Sequence, residues 1–154
     1  MRPMYENEKN LTEEKKVADF LADKWKCDFK KMPIKYELDF VLMRDLRGVA
    51  FAEVKCRSYT RQQLAQWGGS MVSLAKFQKA KQINRDTNLP CYFIVQCSDQ
   101  LMFCSVDVIT PVITWSGRKD RNDILDHEPY VLIQDEHFIQ IDTTGNVLRH
   151  KIQE

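Results

Sequence analysis

Two short apolar runs flank a turn, and each carries carboxylates that the two-residue period of a strand turns inward. They are residues 36–42 (Tyr-Glu-Leu-Asp-Phe-Val-Leu) and residues 49–56 (Val-Ala-Phe-Ala-Glu-Val-Lys-Cys). Between them Arg44-Asp45-Leu46-Arg47-Gly48 reads as a hairpin turn closing on a glycine. In a hairpin symmetric about that turn, Met43 faces Val49, Val41 faces Phe51 and Asp39 faces Glu53. Opposed side chains in an antiparallel pair lie roughly 5 Å apart, and like charges there are destabilising. Lys55 shares the face of Glu53, while Val54 points away. Two carboxylates and a lysine beside Val41 and Phe51 fit a site that a divalent cation would complete. They also fit an ordinary cross-strand salt-bridge cluster.

The chain is long enough to close a core around such a hairpin. With 154 residues, 44% hydrophobic and 29% charged, it reads as one soluble domain. The core is expected at about residues 10–97, followed by a β-rich extension at about 98–154. No apolar stretch approaches the roughly 20 residues of a membrane span. The segment Met1 to Lys9 is polar, resembles no signal peptide, and is expected to fray.

Cys27, Cys56, Cys91, Cys97 and Cys104 include no C-x-x-C pair. Four lie in strand-like runs, as small buried thiols do in a reducing compartment. His127, His137 and His150 show no ligand spacing, so zinc is not expected. Residues 1–85 hold 18 Lys/Arg against 11 Asp/Glu, a net of +7, and residues 86–154 hold 5 against 11, a net of −6. A basic half beside a carboxylate site suits a polyanion, since phosphate contacts supply most nucleic-acid affinity. Lys24, Lys26, Lys30, Lys31, Arg57 and Arg61 are the candidate backbone contacts, carrying no sequence information themselves. Tyr59 and Trp67 are candidates to stack on bases, or to pack.

Asn10 to Lys26 reads as an amphipathic helix, with Asn10 as N-cap and Glu13 closing a capping box. Its apolar stripe is Val17, Ala18, Leu21 and Trp25, and Glu14 precedes these by three, four, seven and eleven residues. Glu14 therefore lies on the inward stripe, or is simply a first-turn glutamate favoured by the helix dipole. Residues 27–33 read as a first strand ended by Pro33. Ser70 can cap a second helix to about Asp86, placing Lys76 near its apolar stripe with Ser73, Phe77, Ala80 and Ile83. Strands are expected at residues 91–97, 101–106 and 108–115, with a closing hairpin of residues 138–142 and 147–152.

A helix bearing Glu14, a strand with Asp39, a strand with Glu53-Val54-Lys55, then a helix and a strand, resembles the PD-(D/E)XK nuclease superfamily. The likeness covers about residues 10–97 and is nearest to Holliday-junction-resolvase-like members. Residues 117–129, with Ser73-x-x-Lys76, resemble small nuclease-like proteins of phages and prophages. Leu38, not proline, precedes Asp39, a departure from the motif. The resemblance implies an α/β (α+β), restriction-endonuclease-like core, αβββαβ, with a mixed central sheet flanked by helices. It implies Mg2+, or Mn2+ in its place, held by Asp39, Glu53 and the Val54 carbonyl. Lys55 would orient or polarise the attacking water, Glu14 would hold a water or second metal, and Ser73 and Lys76 would stand near the phosphate. It further implies DNA as partner, a homodimer, and the cytoplasm of a bacterium or phage-infected host. Two readings compete with a DNA nuclease: a module that binds nucleic acid without cutting, and action on RNA.

Overall fold

The computed structural model describes residues 8–116, 128–142 and 144. Its first element, α1 (Glu8–Trp25), turns Val17, Ala18 and Leu21 into the interior. The helix begins at Glu8, so Asn10 lies within it and not at its start as expected. Behind α1 stands a six-stranded mixed sheet built from β1 (Asp28–Lys31), β2 (Phe40–Arg44), β3 (Arg47–Cys56), β5 (Cys91–Gln96), β6 (Leu101–Ser105) and β9 (Ile139–Ile141). The strand order is β1-β2-β3-β5-β6-β9, with β3 and β5 parallel and every other pair antiparallel. The other face carries α3 (Leu74–Thr87) and a three-stranded sheet, β4-β8-β7, of β4 (Ser70–Ser73), β7 (Val112–Ser116) and β8 (Glu128–Ile133).

Alternation along β3 divides the core. Ala52 and Val54 pack on the α1 side with Leu21, Phe40 and Ile94. Phe93 and Val95, on the other face of the sheet, pack with Phe77 of α3 and with Val72, Val131 and Ile133 of the small sheet. Glu53 lies opposite Phe93 in the β3–β5 ladder. It is therefore carried by the central strand on the α3 side.

Several expected elements are shifted. The first strand stops at Lys31, and Pro33 precedes a short 3-10 turn, Ile34–Tyr36. Only the second half of the 36–42 run is strand. The hairpin closes on two residues, not five: Arg44 pairs with Arg47, Met43 with Gly48 and Leu42 with Ala50. Val41 does face Phe51, but Val49 falls in a bulge instead of opposite Met43. Asp45 and Leu46 have φ of 50° and 65°, the double positive φ of a type I′ turn that matches strand twist.

Ser70 is not a helix cap. It starts β4, and the cap of α3 is Ser73, whose side chain accepts from the Lys76 amide. The polar stretch before β4 holds α2 (Arg61–Gln66), closed by a capping box between Thr60 and Gln63. The expected strand at 108–115 starts later, at Val112, after a 3-10 turn at Val106–Val108. β9 pairs with β6; the partner it was expected to take in a closing hairpin, residues 147–152, lies outside the described residues. The expected 147–152 strand, residues 1–7 of the Met1–Lys9 segment expected to fray, His127, His150 and most of the charged 117–129 segment lie outside the described residues, while Glu8 and Lys9 belong to α1. All five cysteines are free. Among the described residues, no helix is long and apolar enough to cross a membrane.

Two backbone positions test this account with opposite signs. Leu46 is almost fully exposed at φ 65°, a conformation that costs a side chain about 1–2 kcal/mol. Leu46→Gly is expected to raise the melting temperature by roughly 2–4 °C. Gly69 has φ of 132°, and a Cβ there would overlap the Ile133 carbonyl oxygen. Gly69→Ala is expected to lower stability by about 3 kcal/mol and to loosen β4, the segment that leads into Ser73 and Lys76. Thermal melts of the two variants check both signs.

Candidate active site

Where β2 begins, the ladder to β3 passes from backbone to side chain. Phe40 still pairs with Ala52, but the next amide along, Val54 N–H, donates to Asp39 Oδ2 at 2.9 Å. Phe51 and Arg57 donate to the Pro90 and Gln96 carbonyls of the β5 side. Odd residues of β3 thus bond toward β5, and the amide and carbonyl of Val54 turn toward β2, where Asp39 lies. The Asp39 carbonyl accepts from Met32 N–H at 2.8 Å, which fixes the residue from both sides.

Glu14, Asp39 and Glu53 are all buried, Glu53 with 1% of its surface exposed. Around them stand three lysines from three elements. Lys31, at the end of β1, places Nζ 3.3 Å from Asp39 Oδ1 and 3.9 Å from Glu14 Oε1. Lys55 Nζ lies 3.7 Å from Glu53 Oε2, and Lys76 Nζ of α3 donates to that same oxygen. The second oxygen, Glu53 Oε1, is buried without a hydrogen-bond partner among the described residues. Burial pushes the Glu53 carboxyl above its ordinary value; Lys76 and Lys55 oppose this and Asp39 adds to it. Burial likewise lowers the Lys55 ammonium, Lys76 adds to the lowering, and Glu53 and Asp39 oppose it.

The structure brings together Glu14, Lys31, Asp39, Glu53, Lys55 and Lys76. Sequence periodicity identified the inward Glu14, Asp39 and Glu53. It marked Lys31 only as a basic residue, although strand alternation already separates it from Lys30, which is exposed. Five other candidates are placed as follows. Ser73 is buried as the cap of α3, its side chain accepting from the Lys76 amide. Arg61 is committed inside the protein, donating to Asp135 Oδ1 at 2.7 Å, to Gln100 Oε1 and to the Asp135 and Phe138 carbonyls. Arg57 donates to the Met71 carbonyl at 3.2 Å, tying β3 to β4. Tyr59 and Trp67 stack edge-to-face on each other at 4.8 Å, with Trp67 60% exposed.

Hard oxygen donors with an unsatisfied buried oxygen suit a small divalent cation. Glu53 Oε1 and the Asp39 carboxylate meet that requirement. Among the described residues, however, no three His, Cys, Asp or Glu side chains form a ready-made metal cage. Lys31, Lys55 and Lys76 stand at oxygens of Glu14, Asp39 and Glu53.

A mixed sheet with α1 on one face and α3 on the other, with Asp39 at the entry to β2 and the Glu53-x-Lys55 pair on the adjacent β3, defines a nuclease of the PD-(D/E)XK class. The chain belongs to the family described as phage putative PDDEXK endonuclease, which matches residues 1–141. Among solved structures the fold is similar to that of Hjc, a Holliday junction resolvase from the archaeal hyperthermophile Archaeoglobus fulgidus. The TM-score is 0.54, with 12% sequence identity, over 90% of this chain and 98% of that one. The expected restriction-endonuclease-like fold is thus present. No curated protein matches the chain.

Because its folded value is raised, Glu53 holds a proton more tightly in the folded state than in the unfolded one. Its contribution to stability is present below about 4.5 and is lost as pH rises through the folded value. Glu53→Gln removes that loss. Its melting temperature is expected to vary less than that of wild type between mildly acidic and neutral pH. A variant whose melting temperature depends on pH as steeply as that of wild type would contradict this reading.

Proposed function

We propose that this protein is a metal-dependent endodeoxyribonuclease that hydrolyses phosphodiester bonds with an activated water, on branched or phage DNA. The observation that carries the proposal is Glu53: a fully buried carboxylate with one oxygen unsatisfied, beside Asp39 and the inward-turned Val54 carbonyl. Asp39, Glu53 and the Val54 carbonyl would hold Mg2+, with Mn2+ able to replace it. The ion would supply a water of lowered pKa and stabilise charge on the phosphoryl oxygens. Asp39 is held by Val54 N–H and so presents its remaining oxygen in a fixed direction. Lys55, with a depressed pKa, orients the attacking water or neutralises charge developing on the phosphate. Glu14 would hold a further water or second ion. The exposed Lys30 meets the sugar-phosphate backbone, while Arg57 and Arg61 stiffen the frame. The presence of Asp39, Glu53 and Lys55 together favours catalysis over a module that binds without cutting.

Cleavage assays with Mg2+ on plasmid, branched DNA and matched RNA test this reading. Asp39→Ala, Glu53→Gln and Lys55→Met are each expected to lower the cleavage rate by at least about 10²-fold. DNA is expected to be cut in preference to RNA. Full activity in all three variants would overturn the assignment. A protein that binds DNA, shows no Mg2+- or Mn2+-dependent rise in melting temperature and cuts nothing would be a binding module instead.

A further inference from the structure

Lys76 is out of place by the rules of its own helix. It lies in the first turn of α3, three residues after the Ser73 cap, where the helix dipole favours acidic residues and disfavours cations. Its side chain is largely buried, and its ammonium is donated to Glu53 Oε2. Lys31 makes the same kind of contact from the opposite side, to Asp39 Oδ1 and Glu14 Oε1. Its side chain is 44% exposed, and its ammonium lies 5.2 Å from the centroid of the Phe40 ring. With Lys55, the cluster sets three ammoniums against three carboxylates, and the Arg57 guanidinium also acts on Glu53 and Lys55.

A lysine ammonium is a point charge on a flexible four-carbon stem, able to change acceptor without moving the backbone. The oxygens that Lys31 and Lys76 hold are those that a divalent ion requires. A nucleic-acid backbone offers these two lysines another set of anionic oxygens. Building on the metal-dependent reading above, we propose that Lys31 and Lys76 are exchangeable counter-ions. In the free protein they neutralise Asp39, Glu14 and Glu53, and they transfer to substrate phosphates when nucleic acid arrives. The carboxylates are then released for the divalent cation. Metal and nucleic acid therefore bind with positive coupling, and each raises the affinity of the other by the same factor. Lys31 and Lys76 are positioning residues in this scheme, distinct from Lys55, whose place beside Glu53 serves the water.

Titration of the full-length protein with Mn2+, read by the electron paramagnetic resonance signal of the free ion, tests the proposal without turnover. The titration is run alone and with a saturating phosphorothioate-linked DNA duplex. Wild type is expected to bind Mn2+ about tenfold or more tightly when the DNA is present. Lys31→Met and Lys76→Met are each expected to bind Mn2+ more tightly than wild type without DNA, and to gain little from adding it. Lys76→Arg should restore weak binding in the absence of DNA. Lys31 is largely exposed, so its variant reports even where Lys76→Met weakens folding. Methionine variants with wild-type Mn2+ affinity and an undiminished DNA effect would overturn the counter-ion exchange and leave the metal site standing. A wild type that binds no Mn2+ with or without DNA would overturn the metal site as well, and the exchange with it.

Discussion

The desolvation of Glu53 is the constraint that the rest of the structure answers. A carboxylate removed from water costs several kcal/mol unless charge and hydrogen bonds return to it. Here two lysines converge on one oxygen and the other stays unsatisfied. Supplying Lys76 requires α3 to start at Ser73, so that its first turn reaches Glu53 of β3. That start in turn depends on β4, on the strained Gly68-Gly69 corner before it, and on the pairing of β4 with β8. The small sheet is thus more than an ornament on the nuclease core: it sets the height at which Lys76 enters. Arg57, joining the end of β3 to Met71 of β4, locks the two layers at the same place.

The part of this arrangement that was legible in the sequence is the part written as periodicity. Period two along β3 places Glu53 and Lys55 on one face and Val54 on the other. The helical period of α1 places Glu14 on the stripe of Val17, Ala18 and Leu21. Both follow from local geometry that tertiary packing has no reason to override. The type I′ turn was hidden because Asp45-Leu46 lacks the glycine that usually signals it. With a five-residue turn assumed in its place, the pairing of Met43 slipped while that of Val41 survived, because the bulge at Val49 absorbs the difference.

Charge was the least informative signal residue by residue. Arg61, Arg57 and Lys31 look alike as basic positions, yet their roles diverge. Arg61 serves two carbonyls and two side chains drawn from two segments, Gln100 and residues 135–138, a use suited to the rigid fork of a guanidinium. Nothing near Arg61 in the sequence announces Asp135 or Phe138, which lie 74 and 77 residues away. A more readable signal was Thr60-x-x-Gln63, a capping box within a stretch otherwise taken as polar loop. The same pattern of side chain and spacing would have located α2 and shortened the loop before β4.

Asp39 shows how little backbone regularity such a site needs. It lies one residue before β2, in chain with no ladder of its own, and its carboxylate replaces the missing carbonyl opposite Val54 N–H. A proline in place of Leu38 would fix φ at that position and restrict Glu37 before it to extended backbone; here Leu38 is instead held by burial among the residues packed under α3. The preceding 3-10 turn ends at Glu37 with φ of 63°, reversing the chain just before Leu38 enters the core. Packing of one leucine thus supplies the constraint that the motif's proline supplies elsewhere. The departure at Leu38 therefore leaves the direction of the Asp39 carboxylate intact, because that direction is set by a hydrogen bond to β3 and not by the residue before it.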